Sequence, residues 1–134
     1  MDLFNPVATA EQVLPQAAAL EKHMVNLDDI QFEQQAKSSA SILTKDDEKK
    51  GLLLKWSKES DRKVYAQIFR EVMAYDARPD LNKITCPVLV VYAYDKTMNV
   101  PEAQLAQLYA NAYANVKGVR IRRVADSFHF IMWD

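Results

Sequence analysis

Residues 81–95 read Leu81-Asn82-Lys83-Ile84-Thr85-Cys86-Pro87-Val88-Leu89-Val90-Val91-Tyr92-Ala93-Tyr94-Asp95, and the organisation of the chain turns on them. The centre of this stretch, Pro87-Val88-Leu89-Val90-Val91-Tyr92, is a short, uninterrupted, β-branched run. With no polar residue alternating through it, such a run suits a parallel strand covered on both faces. Downstream, residues 101–115 carry a helical pattern, with Leu105, Leu108, Tyr109 and Ala112 along one side and Pro101 at an early position. A proline there sacrifices no helical hydrogen bond. Gly118 marks a turn, and residues 119–125 form a second strand candidate. Strand, helix, strand over roughly 35 residues is a βαβ unit, for which a right-handed crossover is expected.

Upstream of Arg78-Pro79 the periodicity is helical. Thr9 and Gln12 make a capping-box pattern, followed by Val13, Ala17, Leu20 and Met24 at helical spacing. Asp28 and Gln31 repeat the signal for a second helix, with Ile30, Phe32, Ala36, Ala40 and Leu43 as its expected inner face. Thr44 is expected to cap a third helix, with Asp46, Asp47 and Glu48 in the first turn, where the dipole favours them. Leu52, Leu53 and Trp56 would bury its far end. Ser60 is expected to cap a fourth helix, with Val64, Ile68, Phe69, Val72 and Met73 facing inward. Pro79 ends this zone, because the residue before a proline is disfavoured in the α region. The expected division is a helical block over residues 1–78 and a strand–helix–strand part over residues 79–134. Two parallel strands alone make a poor sheet, so the arrangement reads as part of something larger.

Composition narrows the function. The 134 residues suit one domain, with 49% apolar and 26% charged residues and a net charge of −1, which favours neither nucleic acid nor an anionic membrane as partner. A single cysteine, Cys86, forms no internal disulfide and reads as a small buried hydrophobe. Cytoplasm is the expected compartment. The start, Met1-Asp2-Leu3-Phe4-Asn5-Pro6, lacks the basic-then-apolar order of a signal peptide, and no run approaches a membrane span. Only two glycines occur, Gly51 and Gly118, too few for a phosphate cradle or dinucleotide fingerprint. No cofactor and no metal site are expected.

Residues 81–95 resemble a recurring segment of α/β-hydrolases, in which L-x-x-I-x-x-P-V/T-L-V leads into the next-to-last strand and the following Asp is the catalytic acid. The resemblance assigns that role to Asp95. In the family a further helix and strand lead to a loop ending in the catalytic histidine. Here Arg120-Ile121-Arg122-Arg123-Val124 leads to Ala125-Asp126-Ser127-Phe128-His129, which assigns that role to His129. Where the family has glycines before the acid and the histidine, this chain has Tyr92, Ser127 and Phe128. The fold class implied is α/β: a partial α/β-hydrolase fold, a helical cap or lid over residues 1–78 followed by a terminal βαβ unit.

Taken singly, Asp95 reads as a strand-end turn residue and His129 as a packed histidine between two phenylalanines. Together, 34 positions or one crossover apart, they are expected to be the acid and the base that the resemblance implies. In that chemistry the histidine takes the nucleophile's proton and the acid stabilises the imidazolium. The nucleophile itself is missing, since none of Ser38, Ser39, Ser41, Ser57, Ser60 and Ser127 has the flanking glycines of an elbow. It is expected upstream of Met1, so the chain reads as truncated at both ends. The resemblance implies a parent serine hydrolase or esterase acting on a small apolar ester or carbonyl substrate, the isolated chain being inactive. The alternatives are a non-catalytic ligand-binding protein, or an epoxide hydrolase or dehalogenase with an Asp nucleophile. Met24, Trp56, Phe69 and Met73 are candidates for an acyl pocket, His23 reads as a solvated or capping group, and residues 45–50 read as a solvated helix face. An unpaired β-branched edge implies a homo-oligomer or aggregation.

Overall fold

The computed structural model describes residues 10–134, so the cap expected at Thr9 lies outside the described residues. The elements run α1 (Ala10–Asn26), α2 (Asp29–Leu43), α3 (Asp47–Glu59), α4 (Arg62–Ala74), a 3-10 turn (Arg78–Lys83), β1 (Leu89–Tyr94), α5 (Glu102–Ala112) and β2 (Arg120–Ala125). Helices dominate, and the only described sheet has two strands, β1 and β2, paired in parallel with Leu89 beside Arg120 and Tyr94 beside Ala125.

The helices begin where side-chain oxygens meet free amides. Asp28 and Gln31 form a complete capping box at α2. At α3 and α4 the caps are Asp46 and Asp61, not Thr44 and Ser60 as the sequence suggests. An aspartate two residues after Thr44, or one after Ser60, supplies a charged acceptor that a hydroxyl does not match at the positive end of a helix. Thr44 and Ser60 instead become the C-caps of the preceding helices.

The four helices join as two pairs, α1 on α4 and α2 on α3. The α1–α4 seam closes on Ala17 and Ala66, both fully buried, because small side chains let the backbones approach. That choice rotates α4 away from the inner face read from its large apolar residues. Val64, Ile68 and Val72 are exposed and Trp56 is half-exposed. Arg62 links the pairs: it donates to Leu27 O at 2.6 Å, pairs with Asp29 at 2.6 Å and lies 4.6 Å from the Phe32 ring centroid.

The α/β assignment is corrected here. The chain is mostly helical, and its sheet is not the doubly covered layer that class requires. One face of β1 is buried through Val90 and Tyr92, where Tyr92 stacks on Tyr109 of α5 at 4.5 Å, while Leu89 and Val91 on the other face are about half exposed. Both strands bury residues on one side at most, and β2 carries Arg120, Arg122 and Arg123 in its six positions. An apolar run states what a strand can bury, whereas the layer that buries it is supplied by the rest of the structure. Cys86 is likewise exposed, not buried. Gly118, by contrast, sits at the positive φ of 68° that a turn before β2 requires.

Among the described residues the two strands leave two unpaired edges, and Leu89 and Val91 add an apolar face about half exposed. Edges of this kind recruit further strands. Light scattering coupled to gel filtration is expected to return a mass above that of one 15.3 kDa chain. A single monodisperse species at that mass would show that these surfaces are tolerated in water.

Candidate functional site

The C-terminal ends of β1 and β2 bring three loops together: the α2–α3 corner, the turn after β1 and the segment after β2. Asp95 directly follows β1. Its carbonyl accepts from Met98 N at 3.0 Å, and its Oδ1 accepts from Thr97 N at 2.8 Å and Thr97 Oγ1 at 2.5 Å. This is an Asx-turn, the usual reason for an aspartate at the end of a strand. The carboxylate is nevertheless only 3% exposed, and its other oxygen, Oδ2, meets the ammonium of Lys45.

Lys45 comes from the α2–α3 corner and reaches across to both strands' loops. Its Nζ contacts Asp95, donates to Asp126 O at 2.7 Å and lies 5.4 Å from the Phe128 ring centroid. Asp126 is in the left-handed region, with φ of 56°, which an aspartate tolerates better than most residues. It lies three positions before His129, beside the Ser127 and Phe128 that stand in place of the family's glycines. Ser127, 2% exposed, donates its backbone N–H to Tyr94 O at 3.4 Å and so keeps the segment against the end of β1.

Asp134 makes the second connection. Its Oδ1 accepts from Thr44 Oγ1 at 2.6 Å and Lys45 N at 2.8 Å, and its Oδ2 accepts from Phe128 N at 2.6 Å. Thr44 is fully buried and its hydroxyl also accepts from Asp46 N at 3.2 Å. Phe130 N donates to Leu43 O at 2.8 Å, and the Trp133 ring lies tilted against Phe130 and Trp56, with centroids 4.6 and 6.4 Å away. The segment 126–134 is therefore fastened to the helical block chiefly by polar contacts.

His129 also follows this edge, four positions past the end of β2, but its side chain is exposed. Its ring packs edge-on against Phe130 at 5.1 Å. Among the described residues nothing hydrogen-bonds to its imidazole, and Asp95 is engaged by Lys45 and Thr97. The structure thus places Asp95 and His129 at the same sheet edge, with the acid's partners drawn from elsewhere.

The charges follow from these contacts. The Lys45 ammonium, and after it the Thr97 hydroxyl and amide, hold the Asp95 carboxyl far below its usual value of 3.8. Burial opposes ionisation of Asp134, but hydrogen bonds from Thr44, Phe128 and Lys45 outweigh it and hold that carboxyl low as well.

Other candidates lie elsewhere. His23 is exposed on α1 and Met24 is buried. A groove of about 750 Å³ opens between the α1–α2 and α3–α4 turns, with Val25, Ile30 and Phe32 below and Glu33, Lys58 and Arg62 around it. Neither Asp95 nor His129 lines it, and nor do Trp56, Phe69 and Met73. Among the described residues no group of three or more His, Cys, Asp or Glu side chains is arranged to hold a metal ion. No described helix is long and apolar enough to cross a membrane. Sequence reading missed Lys45, Thr44 and Asp134, whose partners lie 50 to 90 positions away, beyond the reach of any local signal. Comparison with known proteins returns no matching family model, curated protein or solved structure.

A carboxyl whose folded-state pKa is depressed stabilises the fold above its unfolded value and loses that contribution as pH falls. Asp95→Asn is therefore expected to lower the urea midpoint at neutral pH, and the gap from wild type should begin to narrow below about pH 4 and keep narrowing as pH falls further. A gap of constant size down into acid would show that the charge of Asp95 is not what stabilises the edge.

Proposed function

We propose that these residues supply the acid and the base of a hydrolytic site, Asp95 and His129, to a nucleophile carried outside the 134 residues. The observation that carries the reading is the common edge: Asp95 ends β1, His129 follows β2, and the strands are parallel neighbours. The resemblance of residues 81–95 to the α/β-hydrolase segment before the catalytic acid, with His129 after the next strand, supports the same two roles.

In this reading His129, exposed at the edge, accepts the proton of a serine hydroxyl as that oxygen attacks a small apolar ester. Asp95, kept ionised by its surroundings, stabilises the imidazolium that results. A side chain open to solvent is one that a separate nucleophile can reach. The same acid and base would serve an Asp nucleophile, and an epoxide or haloalkane would then replace the ester.

A second reading has its own observation. Both Asp95 oxygens are already bound, by Lys45 and Thr97, so the aspartate has a complete structural role without His129. A non-catalytic protein that binds a ligand at this edge would need nothing more.

The test is to join these residues to the reading frame upstream of Met1, searched for a G-x-S-x-G elbow, and to assay chromogenic esters. The joined protein is expected to turn them over and to lose roughly 10³-fold or more on His129→Ala. The 134 residues alone are expected to match the uncatalysed rate. Full activity in the joined His129→Ala protein, or His129-dependent turnover by the isolated chain, would overturn the assignment.

A further inference from the structure

The face that α4 turns to α1 and the face it turns to solvent differ in an unexpected sense. Towards α1 it presents Ala66, fully buried, and Arg70, which pairs with Glu21 of α1 at 3.4 Å. On the opposite side Val64, Ile68, Val72 and the C-cap residue Tyr75 are each more than half exposed. Their spacing of four, four and three positions keeps them on one face. A surface helix ordinarily turns such an apolar stripe to the core. A contiguous apolar patch with a polar rim marks an interaction surface.

The rim indicates the partner. Lys63, Gln67 and Glu71, all exposed, stand one position before Val64, Ile68 and Val72 and form the neighbouring ridge. Gln67 Nε2 donates to Glu71 Oε1 at 2.9 Å, and Arg70 approaches the same carboxylate at 3.9 Å. Lys63 and Glu71 are about 12 Å apart along the helix axis, too far to pair within one helix. Among the described residues no carboxylate pairs with the Lys63 ammonium. The ridge is therefore positive at one end, neutral in the middle and negative at the other.

Such a ridge complements itself when reversed. In two antiparallel copies of α4 related by a two-fold axis near Ile68, Val64 of each comes level with Val72 of the other. Lys63 of each then comes within about 3 Å, along the axis, of the level of the other's Glu71, an offset that the flexible lysine stem covers. Parallel copies would instead set lysine against lysine and glutamate against glutamate. A two-fold interface requires this self-complementarity, each residue of a contacting pair appearing once on either side.

We propose that the exposed face of α4 is a self-recognition surface that docks α4 of a second copy in antiparallel order. It is independent of the acid–base reading, and it is a different surface from the strand edges of β1 and β2. Four apolar anchors per copy put the interface at the low end of specific ones, about 1,200 Å² in total or less, so a reversible dimer is expected.

Sedimentation velocity over a concentration series tests it on the 134-residue chain, with circular dichroism melts confirming that each variant stays folded. Wild type is expected to pass from monomer to dimer as concentration rises. Lys63→Glu and Glu71→Lys each set like charges at both rim contacts, and each is expected to raise the dimer dissociation constant roughly tenfold. Mixed in equal amounts, these two variants carry opposite charges at both contacts and are expected to recover the wild-type constant. Ile68→Glu, with a charge at the axis, is expected to abolish the dimer. Wild type that is monomeric at every concentration would overturn the proposal. Association unchanged by either charge reversal would assign it to the strand edges and overturn the proposal equally, as would a mixture no tighter than its components.

Discussion

A carboxylate taken almost wholly out of water needs partners for its charge, and Asp95 finds them in Lys45 and Thr97. Surface ion pairs contribute little because water competes for both members. Here one member is buried, and removing its partner would strand a charge in a poorly solvated place, which is where such pairs become costly to break. The other features of the joint gather round this contact. Asp126 adopts a left-handed backbone and offers its carbonyl to the same ammonium, and Asp134 binds the backbone of Lys45 and the hydroxyl of Thr44. Three buried polar residues, Thr44, Asp95 and Ser127, lie along this joint, and no buried side-chain polar atom among the described residues lacks a partner.

The joint matters because the apolar core is thin. Ala17 and Ala66 close one helix pair, Val90 and Tyr92 one side of the sheet, and many larger apolar side chains remain in water. With so little buried surface between helices and strands, polar contacts decide how the two parts sit. The same atoms that fix this geometry are those an acid–base site would use. At this edge Asp95 already has a complete structural role, held by Lys45 and Thr97.

What could be read from the sequence was local. The capping box of Asp28 and Gln31, the turn at Gly118 and the approximate positions of both strands follow from interactions spanning a few residues. Thr44 and Ser60 were displaced as N-caps by nearby aspartates, which bring a charged acceptor to the positive end of each helix. The inner face of α4 was misread for a different reason: hydropathy ranks Val64, Ile68 and Val72 above Ala66, but the seam with α1 is set by how closely two backbones can approach. The α/β class failed on the same kind of ground, since the run at residues 87–92 cannot say whether a second layer covers Leu89 and Val91. Asp95 and His129 were read as a pair from their spacing and the resemblance; each follows its strand, but Asp95 is bound by Lys45 and Thr97 and the His129 ring rests on Phe130. Lys45 was hidden in a lysine- and aspartate-rich stretch that resembles any solvated helix start.

The central claim is that Lys45 and Asp95 act as one unit in joining the helical block to the sheet edge. A double-mutant cycle with Lys45→Met, Asp95→Asn and the combined variant, read by urea unfolding at neutral pH, addresses it directly. The account predicts strong non-additivity: each single change destabilises by leaving its partner without a counter-charge, and the combined variant loses clearly less than the two together. Losses that simply add would contradict it, and would mean that Asp95 is stabilised by its turn with Thr97 alone.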